Sequence, residues 1–196
     1  ANDSDPINLP ITATLASSPT HAASFTFNAN GTFSYTPNAD FAGVDTFTYR
    51  ATNGTTPSAP VTVTLNVTAV NDAPVLPGFV NETINEDGIT PLRSFSVTDI
   101  DSAGSALTVV ATSSNQTLIP DANINFWTTG TLAGSRSFDM QMSPALNASG
   151  TATITVTASD GQTTSQQTFT VTVNPVNDAP AITALADVTR PHGTPF

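Results

Sequence analysis

Apolar residues alternate with threonine or serine along much of the chain. The alternation is clearest in five segments: residues 24–27, 46–49, 61–67, 152–157 and 169–173. A period of two is that of a β-strand with one buried face and one solvent-facing face. Threonine suits the solvent face because its branched β-carbon fits a pleated surface without adding charge. Helical spacing is nearly absent, so the pattern predicts an all-β protein with antiparallel sheets.

Turn signals separate these segments. Asn30-Gly31 lies between Phe27 and Phe33, and Asp160-Gly161 lies between the last two long alternating segments. Both dipeptides are typical of tight β-hairpins, because they tolerate a positive φ. Many short strands joined by such turns predict β-sandwiches, and the absence of cysteine means that no disulfide supports them.

The chain also contains an internal repeat. Four ordered matches define it: residues 2–5 with 98–101, 37–43 with 144–150, 49–54 with 156–161, and 70–74 with 176–180. Each copy begins at a D-x-D and ends at an N-D-A-P. The repeat therefore predicts two domains in tandem, residues 1–72 and 73–178, followed by a tail, residues 179–196.

The two copies differ at their beginnings. Residues 75–98 precede the D-x-D of the second copy and carry its first strand region, whereas the first copy starts at its own D-x-D. Residues 186–195 can be laid on residues 81–91 of that opening region. We therefore expect a first sandwich that lacks its N-terminal strand, and a C-terminal tail that resembles the first strand of a following domain.

Composition narrows the choice of partners. The formal charge is −11, and the only basic side chains besides two histidines are four arginines, so the surface cannot neutralise a phosphate backbone. Nucleic acids and anionic membranes are thus excluded as partners, and no apolar run is long enough for membrane insertion. The acidity either attracts divalent cations such as Ca²⁺ or keeps an extracellular protein soluble.

The chain resembles the tandem cadherin-like and Ig-like repeats of large bacterial surface proteins and adhesins. The N-D-A-P linkers, the D-x-D and the segments 28–38 and 41–49 carry the resemblance, which covers almost the whole sequence. It implies Ig-like β-sandwich domains, an extracellular or cell-surface location, and a structural or adhesive role.

The resemblance also implies calcium ions at the junctions between domains. One junction would use Asp72, Asp99, Asp101 and Asp160, and the other Glu86 and Asp178 with Asp3 and Asp5 of the next unit. In an extended D-x-D both carboxylates point the same way, and Ca²⁺ requires six to eight oxygen ligands. The alternative is that each acid is a turn residue that binds its own backbone.

No catalytic arrangement is expected. The only histidines, His21 and His192, lie far apart in sequence, and no G-x-S-x-G motif occurs. Trp127 follows Phe126, and as the single tryptophan it is expected in the core, with an exposed sugar-binding position as the alternative.

Three functions remain open. The first is a stalk in which tandem sandwiches hold a binding domain away from the cell. The second is an assembling subunit whose residues 181–196 add as a strand to the first domain of a neighbouring copy, which would produce a filament. The third is a carbohydrate-binding module that contacts surface glycans through Trp127.

Overall fold

The computed structural model describes residues 9–180, which divide between Ala73 and Pro74 into two compact units. The described part of unit 1 contains five strands: β1 (Thr12–Ser17), β2 (Ala22–Phe27), β3 (Phe33–Pro37), β4 (Gly43–Thr52) and β5 (Val61–Val67). Up to residue 180, unit 2 contains seven strands: β6 (Glu82–Asn85), β7 (Arg93–Thr98), β8 (Thr108–Ser113), β9 (Ile124–Leu132), β10 (Ser135–Met142), β11 (Gly150–Ser159) and β12 (Thr164–Asn174). Two short 3₁₀ turns, Gly104–Ala106 and Asp121–Asn123, flank β8.

Unit 1 has a three-stranded sheet in the order β1-β4-β5 and the two-stranded hairpin β2-β3. Asn30-Gly31 forms the hairpin turn as predicted, with Gly31 at a φ of 83°. The turn is closed by Asn28, whose N–H donates to the carbonyl oxygen of Thr32 at 2.9 Å. Rings from both sheets meet around Phe47, which is fully buried.

Unit 2 has two sheets, in the orders β7-β10-β9 and β6-β12-β11-β8. The predicted turn at Asp160-Gly161 connects β11 to β12, and the two strands are joined by ten residue pairs. Strand β6 pairs with β12 in parallel, so that Ile84 lies opposite Val173. Both sheets contribute to one core, in which Val97, Ile154, Val156 and Val171 are fully buried.

The predicted all-β class with two tandem sandwiches is confirmed. The alternating segments 24–27, 46–49, 61–67, 152–157 and 169–173 all lie within strands. Within residues 9–180 no helix is long and apolar enough to cross a membrane. Residues 1–8, with Asp3 and Asp5, and the tail 181–196, with His192, lie outside the described residues.

One prediction was wrong. Trp127 lies on β9, and 48% of its surface is exposed, so it is not a core residue. Ile124 and Phe126 occupy the inward positions of this strand, because side chains alternate between the two faces. The adjacent Trp127 must therefore point outward.

Candidate functional site

The last strands of the two units have different surroundings. In unit 2, β12 lies between β11 and the parallel strand β6. In unit 1, β5 is the corresponding last strand, and among the described residues it pairs only with β4. The outer edge of β5 thus corresponds to the edge of β12 at which β6 pairs in unit 2.

A cleft of about 320 Å³ enters unit 1 between its sheets. Most of its side chains are apolar, and they include Ala13, Phe27, Phe33, Phe47, Tyr49 and Val63. Phe33 and Val61 are strand residues, yet they remain 43% and 50% exposed. Unit 1 buries only Ala13 and Phe47 as core residues within its described part, far fewer than unit 2. Its core therefore has apolar surface that a further strand could cover.

Asp45 is a buried carboxylate that sequence reasoning did not select. Its Oδ1 accepts hydrogen bonds from the backbone N–H groups of Thr20 (3.0 Å) and Thr46 (2.9 Å). Its Oδ2 accepts from the N–H of His21 (2.8 Å) and from the hydroxyl of Tyr35 (3.1 Å). One carboxylate thereby joins the loop after β1 to strands β3 and β4.

These contacts determine the protonation of Asp45. Burial raises its pKa, but the hydrogen bonds from Thr20, His21, Thr46 and Tyr35 outweigh burial and hold the pKa well below the usual 3.8. Burial, with the hydrogen bond and charge of Asp45, raises the pKa of Tyr35. Asp45 is therefore a charged structural group.

Thr20, His21 and Asp45 do not form a catalytic triad. The Thr20 hydroxyl lies 3.0 Å from Nδ1 of His21, and Asp45 Oδ1 lies 3.7 Å from the same nitrogen. A triad needs the nucleophile on one ring nitrogen and the carboxylate on the other. The imidazole instead stacks on Phe41 with ring centroids 4.2 Å apart.

Asp99 follows β7 and is 6% exposed. Its Oδ1 accepts from the N–H groups of Asp101 (3.1 Å) and Ser102 (2.8 Å), which is an Asx-type turn. Its Oδ2 is buried and accepts no hydrogen bond from the described residues. The β9–β10 turn fixes this segment, because the Asp99 N–H donates to the carbonyl oxygen of Gly134 at 2.9 Å.

Asp160 and Glu86, which were also predicted ligands, have local partners. Asp160 Oδ1 accepts from the N–H groups of Gln162 and Thr163, and its Oδ2 accepts from the Thr163 hydroxyl at 2.8 Å. Glu86 Oε1 accepts from the N–H of Val176 at 2.5 Å. Asp160 therefore stabilises its own turn, and Glu86 holds the segment that follows β12.

The remaining predicted ligands lie at the surface. Asp72 and Asp101 are exposed in units 1 and 2 respectively, and Asp178 is exposed after β12. Within residues 9–180, no three Asp, Glu or His side chains are grouped closely enough to form a ready metal site. The assignment of these acids to calcium stays a prediction, and among the predicted ligands in the described part of the chain it is Asp99 that has a buried oxygen without a hydrogen-bond partner.

Two family models match the chain in tandem. Residues 1–69 match the bacterial cadherin-like domain, and residues 71–174 match the bacterial Ig domain. No curated protein matches the chain. The two matches adjoin near the boundary between the two units.

Solved structures resemble the chain at low sequence identity. EC1-2 of human protocadherin-24 is 18% identical with a TM-score of 0.50, over 90% of this chain and 85% of that one. EC1-2 of human mucin-like protocadherin is 16% identical with a TM-score of 0.45, over 90% and 92%. An endo-fucoidan hydrolase of glycoside hydrolase family 107 is 20% identical with a TM-score of 0.36 over 85% of this chain, which spans only 24% of the hydrolase.

Proposed function

Because this chain belongs to the bacterial Ig domain family, with a bacterial cadherin-like match before it, we propose that it is a structural repeat that extends a surface stalk or filament. Domains of these two kinds are typical of extracellular or surface proteins, where they act as adhesive or structural repeats, and they are typically non-enzymatic. We also propose how successive copies of the chain are joined.

The observation that carries the proposal is the outer edge of β5, which pairs with no further strand within residues 9–180. An edge strand exposes a row of backbone N–H and C=O groups, to which a further strand can add. Unit 2 provides the template for that addition, because β6 lies parallel to β12 at the corresponding edge. Val63 of β5 lines the apolar cleft of unit 1, so a strand beside β5 would border that cleft.

The occupant that we propose is residues 181–196 of another copy. Residues 186–195 align with residues 81–91, which include β6. An element that leaves one copy and completes the next makes a head-to-tail contact, and such contacts extend into filaments when the rotation does not close. Linear extension is the consequence.

Sedimentation velocity of the full chain over a concentration series tests this assembly. We expect elongated species that grow with concentration, and a synthetic peptide of residues 179–196 should return them to monomers by occupying β5. A peptide of the same composition in scrambled order is the control. A chain that sediments as a monomer throughout, unaffected by the peptide, would remove strand addition and leave a spacer built from tandem domains.

Calcium enters the proposal through Asp99. A buried carboxylate oxygen without a donor is costly, and a hard cation such as Ca²⁺ would satisfy it. Asp99 and Asp101 would hold the ion, which would supply positive charge beside these carboxylates and stiffen the segment after β7. The wider ligand set, with Asp72 and Asp160, remains the prediction from sequence.

Isothermal titration of calcium into the chelated full chain tests this part. We expect binding with a dissociation constant on the order of 10⁻⁴ to 10⁻³ M, the range of extracellular modules. Asp99→Asn should abolish the heat, because it replaces the unpartnered carboxylate oxygen with a neutral amide. Asp139→Asn, an acid on a different strand, is the matched control. An absence of heat with the wild-type chain would contradict the calcium proposal.

A further inference from the structure

The outer face of the β7-β10-β9 sheet carries an exposed aromatic residue among polar ones. Trp127 on β9 lies directly opposite Asp139 on β10, which lies opposite Ser94 on β7. Residues paired in this way have Cβ atoms about 4.5–5.5 Å apart. No aromatic or cation–π contact joins Trp127 to another described residue, and about half of its surface is exposed to a ligand.

We propose that this face binds a neutral, unsulfated saccharide chain. A pyranose ring has an apolar face of C–H groups and a rim of hydroxyl groups, so it needs a flat aromatic surface flanked by hydrogen-bonding groups. Trp127 supplies the flat surface and an N–H donor. An indole that is 48% exposed can bury substantial apolar area when a sugar ring stacks on it.

The polar groups beside Trp127 are held in place by the protein. The Ser94 hydroxyl donates to Asp139 Oδ1 at 2.6 Å, which fixes the carboxylate. Two residues further along the strand, on the same face, Gln141 lies opposite Asn125, and Gln141 Nε2 donates to the carbonyl oxygen of Thr90 at 3.1 Å. With Ser94 and Thr90 as the internal partners, the second carboxylate oxygen and the amide oxygens are left as acceptors for sugar hydroxyl groups.

On the other side of Trp127, toward Gly130, the residues of the sheet are small. Gly130 lies opposite Ser137, and Ser137 lies opposite Ser96. The two serine hydroxyl groups are 2.8 Å apart and hydrogen-bonded to each other. Ser137 lies two residues from Asp139, about 6.8 Å along the strand, so this row of small residues leaves room for a ring beside the indole.

Charge determines the class of saccharide. Neither arginine of the described part of unit 2 is available on this face: Arg93 pairs with Glu82 and lies over the Phe169 ring, whereas Arg136 donates to the carbonyl oxygen of Leu107. Asp139 adds a negative charge beside Trp127, and the whole chain has a charge of −11. Sulfated or carboxylated chains would be repelled, so the ligand is neutral.

Tryptophan fluorescence of the full chain is a direct test, because Trp127 is its only tryptophan. The probes are soluble β-glucan, xylan, galactomannan and dextran, with dextran sulfate as the charged counterpart of dextran. We expect at least one neutral polymer to shift the emission to shorter wavelength, and dextran sulfate to have no effect. No change with any neutral polymer, or a change with dextran sulfate alone, would overturn the proposal.

Affinity electrophoresis in the polymer that binds assigns the residue. Trp127→Ala should weaken binding at least about tenfold, which corresponds to about 1.4 kcal/mol. Asp139→Asn should weaken it less. Leu132→Ala is the matched control, because Leu132 is an exposed aliphatic residue of the same strand, and it should bind as the wild type does. Equal retardation of Trp127→Ala and wild type, with unchanged circular dichroism, would overturn the proposal.

Discussion

At the residue scale, the most informative side chain is one that the sequence interpretation did not select. Asp45, Phe47 and Tyr49 share one face of β4, because they are spaced by two. Phe47 is buried and Tyr49 is half-buried against Phe27, so the acid on the same face of β4 also points inward. A signal was present in the sequence: an acid at an apolar position of an alternating segment. Its partners could not be predicted, because they come from the β1–β2 loop and β3.

Asp45→Asn should destabilise unit 1. The amide nitrogen of asparagine cannot accept hydrogen bonds, so it would face one pair of the donors that now converge on the carboxylate. We expect the melting temperature of unit 1 to fall by several degrees, whereas unit 2 should melt as in the wild type. Calorimetry of the full chain separates the two transitions, and an unchanged first transition would contradict this role.

The same residue makes unit 1 sensitive to acid. The pKa of Asp45 is lowered in the folded chain relative to 3.8, so its contribution to stability is fully present above about pH 3.8 and is lost as the pH falls toward the folded value. The melting temperature of unit 1 in the wild type should therefore fall below about pH 4. The Asp45→Asn chain should lack this part of the fall, and parallel pH profiles of the two chains would contradict the role of Asp45.

Trp127 shows where residue-level reasoning failed. A lone tryptophan beside a phenylalanine was assigned to the core on the general tendency of large apolar residues to be buried. Strand parity is the stronger rule here. Ile124 and Phe126 already take the inward positions of β9, which leaves the outward one to Trp127.

At the element scale, strands with strict alternation were predicted correctly, and so were the two hairpin turns. β9 was not recognised, because Trp127 and the polar residues that follow it, Thr128 to Thr131, hide its alternation. Its register also shifts at Ser137 and Phe138 of β10, and a shift of this kind breaks the period of two. Pairing between distant strands depends on packing rather than on local pattern, so sheet order was not predictable.

The parallel pairing of β6 with β12 is the structural feature on which the proposed function rests. The sequence interpretation identified an opening strand region in residues 75–98 but not its partner. The structure places β6 beside the last strand of unit 2, and the corresponding edge of β5 has no such strand among the described residues. This edge of β5 is the one at which we propose that a further strand adds.

At the scale of the whole molecule, the internal repeat was the strongest signal, because four matches in the same order are difficult to produce by chance. It predicted tandem domains without any knowledge of sheet topology. The candidate sites were less predictable. Acids of the linkers, the D-x-D and the hairpin turn were predicted as calcium ligands, with turn residues as the alternative. Asp160 and Glu86 accept hydrogen bonds from nearby N–H groups, whereas Asp99 Oδ2 accepts none from the described residues, and only a structure shows this difference.

The central claim is that a strand from another copy lies beside β5 in the register that β6 has beside β12. Val67 corresponds to Val173 in the repeat, and Thr189 corresponds to Ile84, the residue opposite Val173. The chain has no cysteine, so a pair of introduced thiols has no competitors. Paired strands bring Cα atoms within the range that a disulfide requires.

The direct measurement is oxidation of the chain that carries both Val67→Cys and Thr189→Cys, followed by non-reducing electrophoresis. The account predicts a ladder of covalent multimers, since each copy both gives and receives a strand. Each single variant should stop at the dimer. Val67→Cys with Val188→Cys should form much less ladder, because a shift of one residue turns the side chain to the opposite face. A double variant that yields nothing beyond the dimer would contradict strand addition at β5.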